Sequence, residues 1–423
     1  MKISRPTDSS GVDLSAYDLS DPGFFAEGDP HLVWHAMRHR APVHWQPVGN
    51  LGFWSVAKYA DVTQVLKDHS TFTSECGTLL HLLGTRDPAS GCQMVVTDPP
   101  RHTQMRVPMN RVLTGKAVEK HFDGVRAHAR ELLEPALSGE TFDFAAVMME
   151  LAIGVAGIVM ELPKDDWPYL TRLLSACVAP DDPDFQLAEG PEATLKRGHR
   201  ELFGYLEDVA WERERKPGED LFSVLFGIRV DGEPLTPAAV ISNCYSLLLG
   251  DSVTTPHVPS AALMEMIRTD AYQDWAAHPE HFASGLEEAL RWSSPAIHIM
   301  RYATRDTELR GQAIKQGDAV VVWLGSANRD EDVFADPFRY DLRRAQNRHL
   351  TFGFGAHYCV GHAIGRMTLN ALFTEILETF EGFEVAGPVK HMRSNFIAGI
   401  TRLPLKAHVR TRSRAEEPVL AGV

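Results

Sequence analysis

The stretch TFGFGAHYCVGHAIG, from Thr351 to Gly365, restricts the fold most strongly, because four glycines surround one cysteine directly before a helical pattern. Glycine permits turns and close backbone approaches that side chains block, so the stretch predicts a tight loop followed by the helix VGHAIGRMTLNALFTEILETF. Cys359 is then expected at the N-terminus of this helix. There the helix dipole and free N–H groups favour a thiolate, which is a nucleophile or a metal ligand.

The neighbours of Cys359 leave three interpretations. A nucleophile would pair with His357 or His362, but the sequence lacks the glycine two residues earlier that a nucleophile elbow requires. A buried structural cysteine at a helix start is the second interpretation. The third is a metal ligand, because one thiolate without companion ligands suits a metal held otherwise by a macrocycle, as in haem.

The rest of the chain predicts mainly helical structure with few, short strands. LGFWSVAKYADVTQVLKD predicts a strand followed by a helix, and DAVVVWLGSANRD predicts a buried strand leading into a short helix. Helical patterns fill most of residues 124–226, with Pro and Asp-Pro groups as breaks. His31, His35 and His39 recur every four residues, and we interpret them as a solvated helix face rather than a metal-binding ridge.

Composition and charge argue against several classes of protein. A net charge of −14 argues against a surface for nucleic acid or an anionic membrane. The longest apolar run, at residues 151–160, is too short to span a bilayer, and the N-terminal stretch lacks the apolar core of a signal peptide. Five scattered cysteines indicate no disulfide framework. We therefore expect a cytoplasmic monomer that binds neither nucleic acid nor membrane.

The cysteine stretch closely resembles the haem-binding signature of the cytochrome P450 family, Phe-Gly-x-Gly-x-His-x-Cys-x-Gly. In that family the cysteine is the proximal iron ligand, the phenylalanine shields it, and the histidine contacts a haem propionate. The resemblance implies haem b as cofactor, with Cys359 as its axial thiolate ligand. Every specified position of the signature is filled here, by Phe352, Gly353, Gly355, His357, Cys359 and Gly361.

Other features of the family occur in the same order along the chain, so the resemblance covers nearly all of it. EEALRW supplies Glu288 and Arg291, which match the family's buried structural ion pair. His102, Arg106 and Arg301 fall where the family holds the haem propionates, and buried anions need such donors.

The resemblance also implies the fold and the domain organisation. The family fold is mainly α with small β-sheets, in agreement with the patterns above. We expect a single cytochrome P450 domain over residues 1–423, with flexible ends at 1–20 and 411–423.

The segment TPAAVISNCYSLLLGDSVTTPHVPSAALMEMIRT predicts a long helix that is kinked between Ser252 and Pro259, because its two prolines remove backbone donors. In the family this helix is distorted at that place to form an oxygen-binding groove. There a threonine beside an acid helps to deliver protons.

This sequence departs from the family pattern in the groove. The acid position holds Val253 if Thr254 is the functional threonine, and Thr254 if Thr255 is. Asp251 lies one helical turn before Thr255. It either supplies the acid from a shifted position or points to solvent or a salt bridge.

By the same resemblance, TLLHLLGTRDPASGCQM, PAIHIM and SNFIAGI are expected to line the substrate pocket. Ile297, His298 and Ile397 belong to these segments, with His298 as the polar anchor. An apolar pocket of this kind implies a biosynthetic metabolite as substrate.

The resemblance therefore implies a haem-thiolate monooxygenase that inserts one oxygen atom from O2 into a mostly apolar small molecule. A separate ferredoxin and ferredoxin reductase would supply electrons and dock on arginines near the cysteine loop. The alternatives are peroxide-driven oxidation or oxidative coupling by the same haem, and a haem sensor or carrier without turnover. The docking arginines are Arg339, Arg343, Arg344, Arg348 and Arg366.

Overall fold

The structure is a computed structural model that describes residues 1, 3–6, 8–113 and 115–410. The predicted flexible end at 411–423 lies outside the described residues. The α-helices of the described part are α1 Pro22–Glu27, α2 Pro30–Arg40, α3 Tyr59–Lys67, α4 Arg101–Leu113, α5 Lys116–Glu119, α6 Phe122–Leu133, α7 Phe144–Met160, α8 Trp167–Val178, α9 Pro191–Arg215, α10 Leu221–Phe226, α11 Pro237–Ser252, α12 His257–Thr269, α13 Ala271–Ala277, α14 Phe282–Ser293, α15 Leu324–Ala327 and α16 His362–Thr379.

The strands are short and form small sheets. They are β1 Val43–Val48, β2 Leu51–Val56, β3 Phe72–Thr73, β4 Thr141–Asp143, β5 Arg229–Val230, β6 Glu233–Pro234, β7 His298–Ala303, β8 Thr307–Leu309, β9 Gln312–Ile314, β10 Ala319–Trp323, β11 Phe380–Val385, β12 Lys390–His391, β13 Ile400–Arg402 and β14 Pro404–Val409. The largest sheet has the order β1-β2-β10-β7-β3, and a second has the order β11-β14-β4. Strands β5 and β6, β8 and β9, and β12 and β13 form separate pairs.

Both strand-to-helix predictions are confirmed. LGFWSVAKYADVTQVLKD contains β2 and α3, and DAVVVWLGSANRD contains β10 and α15. Strand β10 pairs in parallel with β2 and antiparallel with β7, and all of its residues are buried. Its continuous apolar sequence, without alternation, agrees with burial on both faces.

Helix α7 lies at the centre of the helical core. It contacts α6, α8, α11 and α12. From Leu151 to Met160 its sequence is apolar on all sides, as expected for a helix surrounded by others, whereas Glu150 in its first half is exposed. Gly157 allows α8 to approach, since a Cβ there would lie 2.2 Å from Nε1 of Trp167. The prediction of a mainly helical fold is confirmed.

The expected long helix is interrupted between α11 and α12 by a turn at residues 253–256. The first amides of α12, those of His257 and Val258, donate to carbonyls three residues back rather than four, at 3.2 and 3.3 Å. Pro256 and Pro259 have no N–H to continue the regular helical pattern. The predicted kink is therefore confirmed, and it takes the form of a break.

Several described residues of the stretch 1–20, for which we predict a flexible end, make contacts with the rest of the fold. Leu19 is 1% exposed and packs in one apolar cluster with Phe25 and Trp34. Arg5 also donates to a carboxylate oxygen of Glu265 at 2.5 Å. The polar composition of the stretch gave no sign of these isolated anchors, because they follow no helical or strand period.

Glu288 and Arg291 form a fully buried ion pair on α14, as the sequence predicted. Both side chains are 0% exposed, and the guanidinium donates to the two carboxylate oxygens at 2.8 and 2.7 Å. Glu288 also accepts hydrogen bonds from the backbone N–H of Asp341 and the side chains of Arg344 and Asn347. A buried charge is tolerated only with such complete pairing.

The replacement Arg291→Leu is expected to lower the free energy of unfolding by about 3–5 kcal/mol, because it leaves the Glu288 carboxylate buried without its main partner. Arg343→Leu is the matched control: it breaks an exposed two-point pair with Asp274 and should lower that free energy by at most about 1 kcal/mol. Urea denaturation followed by circular dichroism measures both changes. Equal losses in the two variants would contradict the structural role of the buried pair.

Candidate active site

The cysteine loop precedes α16, in the predicted order of loop and helix. Gly353 and Gly355 have φ angles of 71° and 75°, which side chains disfavour. A Cβ on Gly355 would lie 2.6 Å from the carbonyl oxygen of Leu66, so the loop can pack against α3 only with glycine there. The N–H of Cys359 donates to the carbonyl of Phe352 at 2.8 Å and closes the loop.

The electrostatic environment of Cys359 differs from the expectation of a lowered thiol pKa. Burial raises the pKa of the Cys359 thiol, although the N–H of Gly361 and the charges of Arg106 and Arg366 act to lower it. Gly361 is the N-cap of α16, so the cysteine lies before the first helical turn rather than in it. The protein groups alone therefore leave a thiol, and a bound metal cation is what converts such a group to a thiolate.

A large cavity lies over the cysteine loop and contains about 1040 Å³ of space free of protein atoms, part of it open to solvent. Its walls come from the cysteine loop and the start of α16, from α4, from the last residues of α7, and from the break between α11 and α12. Phe352, Cys359 and Gly361 line it, whereas Gly353 and Gly355 shape the loop from outside its walls.

Three of the four residues predicted to bind propionates meet at one edge of this cavity. His102 and Arg106 of α4 and His357 of the cysteine loop all line it, and the rings of His102 and His357 have centroids 4.4 Å apart. Nε2 of His357 lies 3.2 Å from a carboxylate oxygen of Asp98. Burial lowers the pKa of His102 to about 3, and neither of its ring nitrogens has a hydrogen-bond partner.

Arg301, the fourth of these residues, does not line the cavity among the described residues. It lies buried on β7, where its guanidinium donates to the carbonyl of Met300 at 2.9 Å. Burial lowers the pKa of Arg301 to about 10, so it keeps its charge at neutral pH, and that charge acts on His357. We call the part of the cavity wall formed by His102, Arg106 and His357 the cationic edge, after the charge of Arg106. Arg301 lies outside this edge and acts on it only through its charge.

Asp251, Thr254 and Thr255 all line the cavity at the break between α11 and α12. Thr254 Oγ1 donates to the carbonyl of Gly250, in the last turn of α11, at 2.6 Å. Thr255 Oγ1 instead donates to Oδ1 of Asp251 at 3.2 Å. Oδ2 of Asp251 is buried without a partner, and burial raises the pKa of Asp251 to about 7.

Ile297, His298 and Ile397 do not reach the cavity among the described residues, which corrects the predicted pocket. Ile297 and Ile397 are 0% exposed in the apolar core. His298 is fully used by backbone groups: its Nε2 accepts from the N–H of Leu80 at 3.0 Å, so its Nδ1 donates to the carbonyl of Asn395 at 3.0 Å. It has no ring nitrogen left to anchor a substrate.

The apolar walls come mainly from residues that the sequence did not single out. A helical period gives the only signal for some of them, because Ser246, Leu247 and Gly250 of α11 follow three- and four-residue spacing that also includes the predicted Asp251. The residues on α7 lie in a run that is apolar on all sides, so no pattern separates the wall from the core. Met94, the last residue of the predicted segment TLLHLLGTRDPASGCQM, lines the cavity as expected. The lining residues that the sequence did not single out are Val95, Leu113, Ala156, Val159, Met160, Leu221, Ser246, Leu247, Gly250, Val360, Ile364 and Gly365.

The three histidines of α2 do not form one solvated face. His31 is buried against the ring of Trp34, at a centroid distance of 5.2 Å. His35 and His39 lie beside Glu331 near the surface. The carboxylate of Glu331 is already held at both oxygens by Arg38, at 2.9 and 2.8 Å.

Known proteins match the chain over almost its whole length. A family model described as cytochrome P450 matches residues 283–409. The chain is 33% identical over 407 residues to cytochrome P450 NovI of Streptomyces niveus, with 95% of this chain and 98% of that protein covered. It is 31% identical over 399 residues to linalool 8-monooxygenase of Pseudomonas putida, with 91% of this chain and 97% of that protein covered.

Among solved structures, the chain resembles cytochrome P450 OxyD, which is involved in the biosynthesis of vancomycin-type antibiotics. The TM-score is 0.83 at 28% sequence identity, and the match covers 93% of this chain and all of OxyD. The chain therefore belongs to the cytochrome P450 family and has its single-domain fold. It is an oxidoreductase of the monooxygenase class, and its cofactor is the haem iron that this family binds through a cysteine.

The residues around the cavity fit a haem. A cysteine sulfur at the wall suits the iron, and the apolar walls suit the macrocycle. His102 supplies two buried ring nitrogens that have no protein partner, beside the charged Arg106, as two carboxylates at that edge require.

None of the described helices is both long enough and apolar enough to cross a membrane.

The pKa of Asp251 predicts a measurable pH dependence of stability. Between its ordinary pKa of 3.8 and about 7, the carboxyl is protonated in the folded chain and ionised in the unfolded chain. The folded state then binds more protons, so the free energy of unfolding falls as the pH rises through this window. Asp251→Asn removes this contribution.

Relative to Asp251→Asn, the wild type should therefore lose at most about 4 kcal/mol of stability between pH 4 and pH 8, at about 1.36 kcal/mol per pKa unit. Denaturant titrations of the two proteins across this range measure the difference. Parallel pH profiles would show that Asp251 ionises in the folded protein as it does in water.

Proposed function

We propose that this monooxygenase binds haem b through Cys359 and inserts one oxygen atom from O2 into a mostly apolar small molecule of a biosynthetic pathway. The observation that carries the proposal is that Cys359 and the hydrogen-bonded Asp251–Thr255 pair line the same large cavity. When bound, haem supplies the activation of O2, with two electrons and two protons consumed to give the hydroxylated product and water.

The cationic edge of the cavity positions the cofactor. Arg106 provides a charge for one propionate, and His102 provides an N–H from a neutral ring. His357 stays in place through Asp98 and through Ser74, whose Oγ lies 3.1 Å from its Nε2. Arg301 adds positive charge from behind this edge.

Asp251 and Thr255 hold and move the protons. Thr255 Oγ1 keeps its proton on Oδ1 of Asp251, while Oδ2 of Asp251 remains free to exchange a proton with a molecule in the cavity. A carboxyl with a pKa of about 7 both gives and takes protons near neutral pH. Thr254 is the weaker candidate, because its hydroxyl is bound to the carbonyl of Gly250.

The substrate class follows from the walls and from relatives. Apolar side chains from several elements line much of the cavity, and three of them, Ala156, Val159 and Met160, come from the end of α7. Such walls favour an apolar molecule. One relative is named for oxidation of linalool, and OxyD takes part in antibiotic biosynthesis. The first name supports a small, mostly apolar substrate, and the second supports a role in a biosynthetic pathway.

Electrons are supplied by a separate ferredoxin and its reductase. Of the arginines proposed for docking, Arg343, Arg344 and Arg366 are already paired with carboxylates within the protein. Arg339 and Arg348 are exposed, and no carboxylate partner occurs for them among the described contacts. These two provide the charge that an acidic ferredoxin would meet.

The first test is the identity of the iron ligand. Cys359→Ser is expected to abolish the characteristic absorption band of a ferrous carbon monoxide complex with thiolate ligation, because no other cysteine of the described residues lines the cavity. Cys244→Ser, which changes a cysteine buried on α11, should keep the band. Retention of the band in Cys359→Ser would overturn the assignment.

The second test concerns proton delivery. Asp251→Asn and Thr255→Ala should each raise the share of reducing equivalents lost as hydrogen peroxide severalfold, because each removes one member of the pair. Thr254→Ala, at the adjacent position, should raise it less, and substrate binding should change little in all three variants.

NADH consumption, hydrogen peroxide and product, measured together, give the coupling of each variant. A larger effect of Thr254→Ala would make Thr254 the groove threonine. If none of the three variants alters coupling, while hydrogen peroxide supports turnover, the peroxide-driven alternative replaces oxygen insertion.

A further inference from the structure

Arg366, whose pairing with a carboxylate makes it a poor docking residue, is a second charged group on the cysteine side of the cavity. Arg366 of α16 places its guanidinium carbon 4.6 Å from the centre of the Phe352 ring. Phe352 lines the cavity beside Cys359 and accepts a hydrogen bond from its N–H. The aromatic ring thus stands between a fixed positive charge and the cysteine side of the cavity.

The guanidinium is held at all three of its nitrogens. Nε and Nη2 donate to the two carboxylate oxygens of Glu287 at 2.6 and 2.9 Å. Nη1 lies 3.2 Å from Nδ1 of His362 and 3.5 Å from the hydroxyl of Tyr358. The side chain is 33% exposed, but a guanidinium fixed at three nitrogens and packed on an aromatic ring exerts a field of constant direction, unlike a mobile surface cation.

Glu287 is held in turn. Its Oε2 lies 3.0 Å from Nε2 of His349, whose side chain is 3% exposed. Among the described contacts, Glu287 contacts Arg366 and His349 rather than Phe352 or Cys359. The pair is therefore oriented, with its positive end toward the cysteine loop and its negative end away from it.

We propose that Arg366, held against Phe352 by Glu287, raises the reduction potential of the haem iron bound at Cys359. This inference rests on the proposed function, in which Cys359 is the iron ligand. Reduction adds one electron to the haem–thiolate unit, and a nearby fixed cation stabilises the more negative state. Arg366 and Glu287 act through Phe352 and Cys359 and are positioning residues.

Because the Arg366–Glu287 pair is oriented, removing one charge or the other should shift the reduction potential in opposite directions. Arg366→Leu removes the nearer charge and should make reduction about tenfold less favourable, a fall of about 59 mV for one electron. Glu287→Gln removes only the opposing charge, so the potential should rise. A purely structural role of the ion pair predicts a shift of the same sign in both variants, because both break the same pair.

Spectroelectrochemical titration of the purified holoprotein measures the potential in each variant. Arg366→Lys keeps the charge and should stay close to the wild type, which separates charge from loss of side chain. Arg343→Leu is the control, since it breaks a two-point ion pair with Asp274 that does not involve Phe352, and it should leave the potential unchanged. If Arg366→Leu fails to hold haem, Glu287→Gln and Arg366→Lys still decide the question.

Each failure points to a different conclusion. If the wild type lacks the ferrous carbon monoxide band of thiolate ligation, the proposed function fails and this inference fails with it. If that band is present in wild type and variants but the potentials of Arg366→Leu and Glu287→Gln are unchanged or shift together, only the tuning role is overturned.

Discussion

The buried ion pair of Glu288 and Arg291 is the interaction on which the position of the cysteine loop depends. Arg291 donates to the backbone carbonyl of Asn328 at 2.9 Å. The side chain of Asn328 accepts from the N–H of Leu350 at 2.6 Å and donates to the hydroxyl of Thr351 at 3.0 Å, where the cysteine loop begins. Two opposite charges with no exposure to water require a fixed arrangement. Because Asn328 connects this pair to Leu350 and Thr351, the position of the first residues of the cysteine loop is fixed as well.

The two sides of the cavity are built on different physical principles. On the cysteine side, Gly353 and Gly355 adopt the positive φ angles that shape the loop, and Arg366, paired with Glu287, places a positive charge beside it. On the opposite side, two prolines deprive a helix of donors, and the resulting break brings Asp251 and Thr255 to the cavity. The arginine and glutamate that hold the first side are paired with each other, whereas the second side contains a buried carboxylate oxygen of Asp251 that has no hydrogen-bond partner.

Sequence analysis was most accurate where a backbone requirement restricts residue type. The cysteine loop, the buried acid–base pair of α14 and the break after α11 are confirmed because glycine, a helical spacing of three residues and proline each have direct conformational consequences. It failed at His298, Ile297 and Ile397, which belong to expected segments but whose side chains are taken up by the core. Whether a side chain faces a cavity or the core depends on contacts between residues that are distant in sequence.

The sequence by itself determined the class of protein, the mainly helical fold and the residues that meet at the cysteine loop, because these follow from local conformational rules and a specific motif. Only the tertiary structure decided that the hydroxyl of Thr255, rather than that of Thr254, donates to Asp251. It also decided that Arg301 lies outside the cavity wall and acts on His357 through its charge. Finally, it decided that Arg366 pairs with Glu287 and packs on the ring of Phe352. These pairings set pKa values and electric fields, which depend on burial and on distances across the fold. Linear spacing along the chain does not specify those distances.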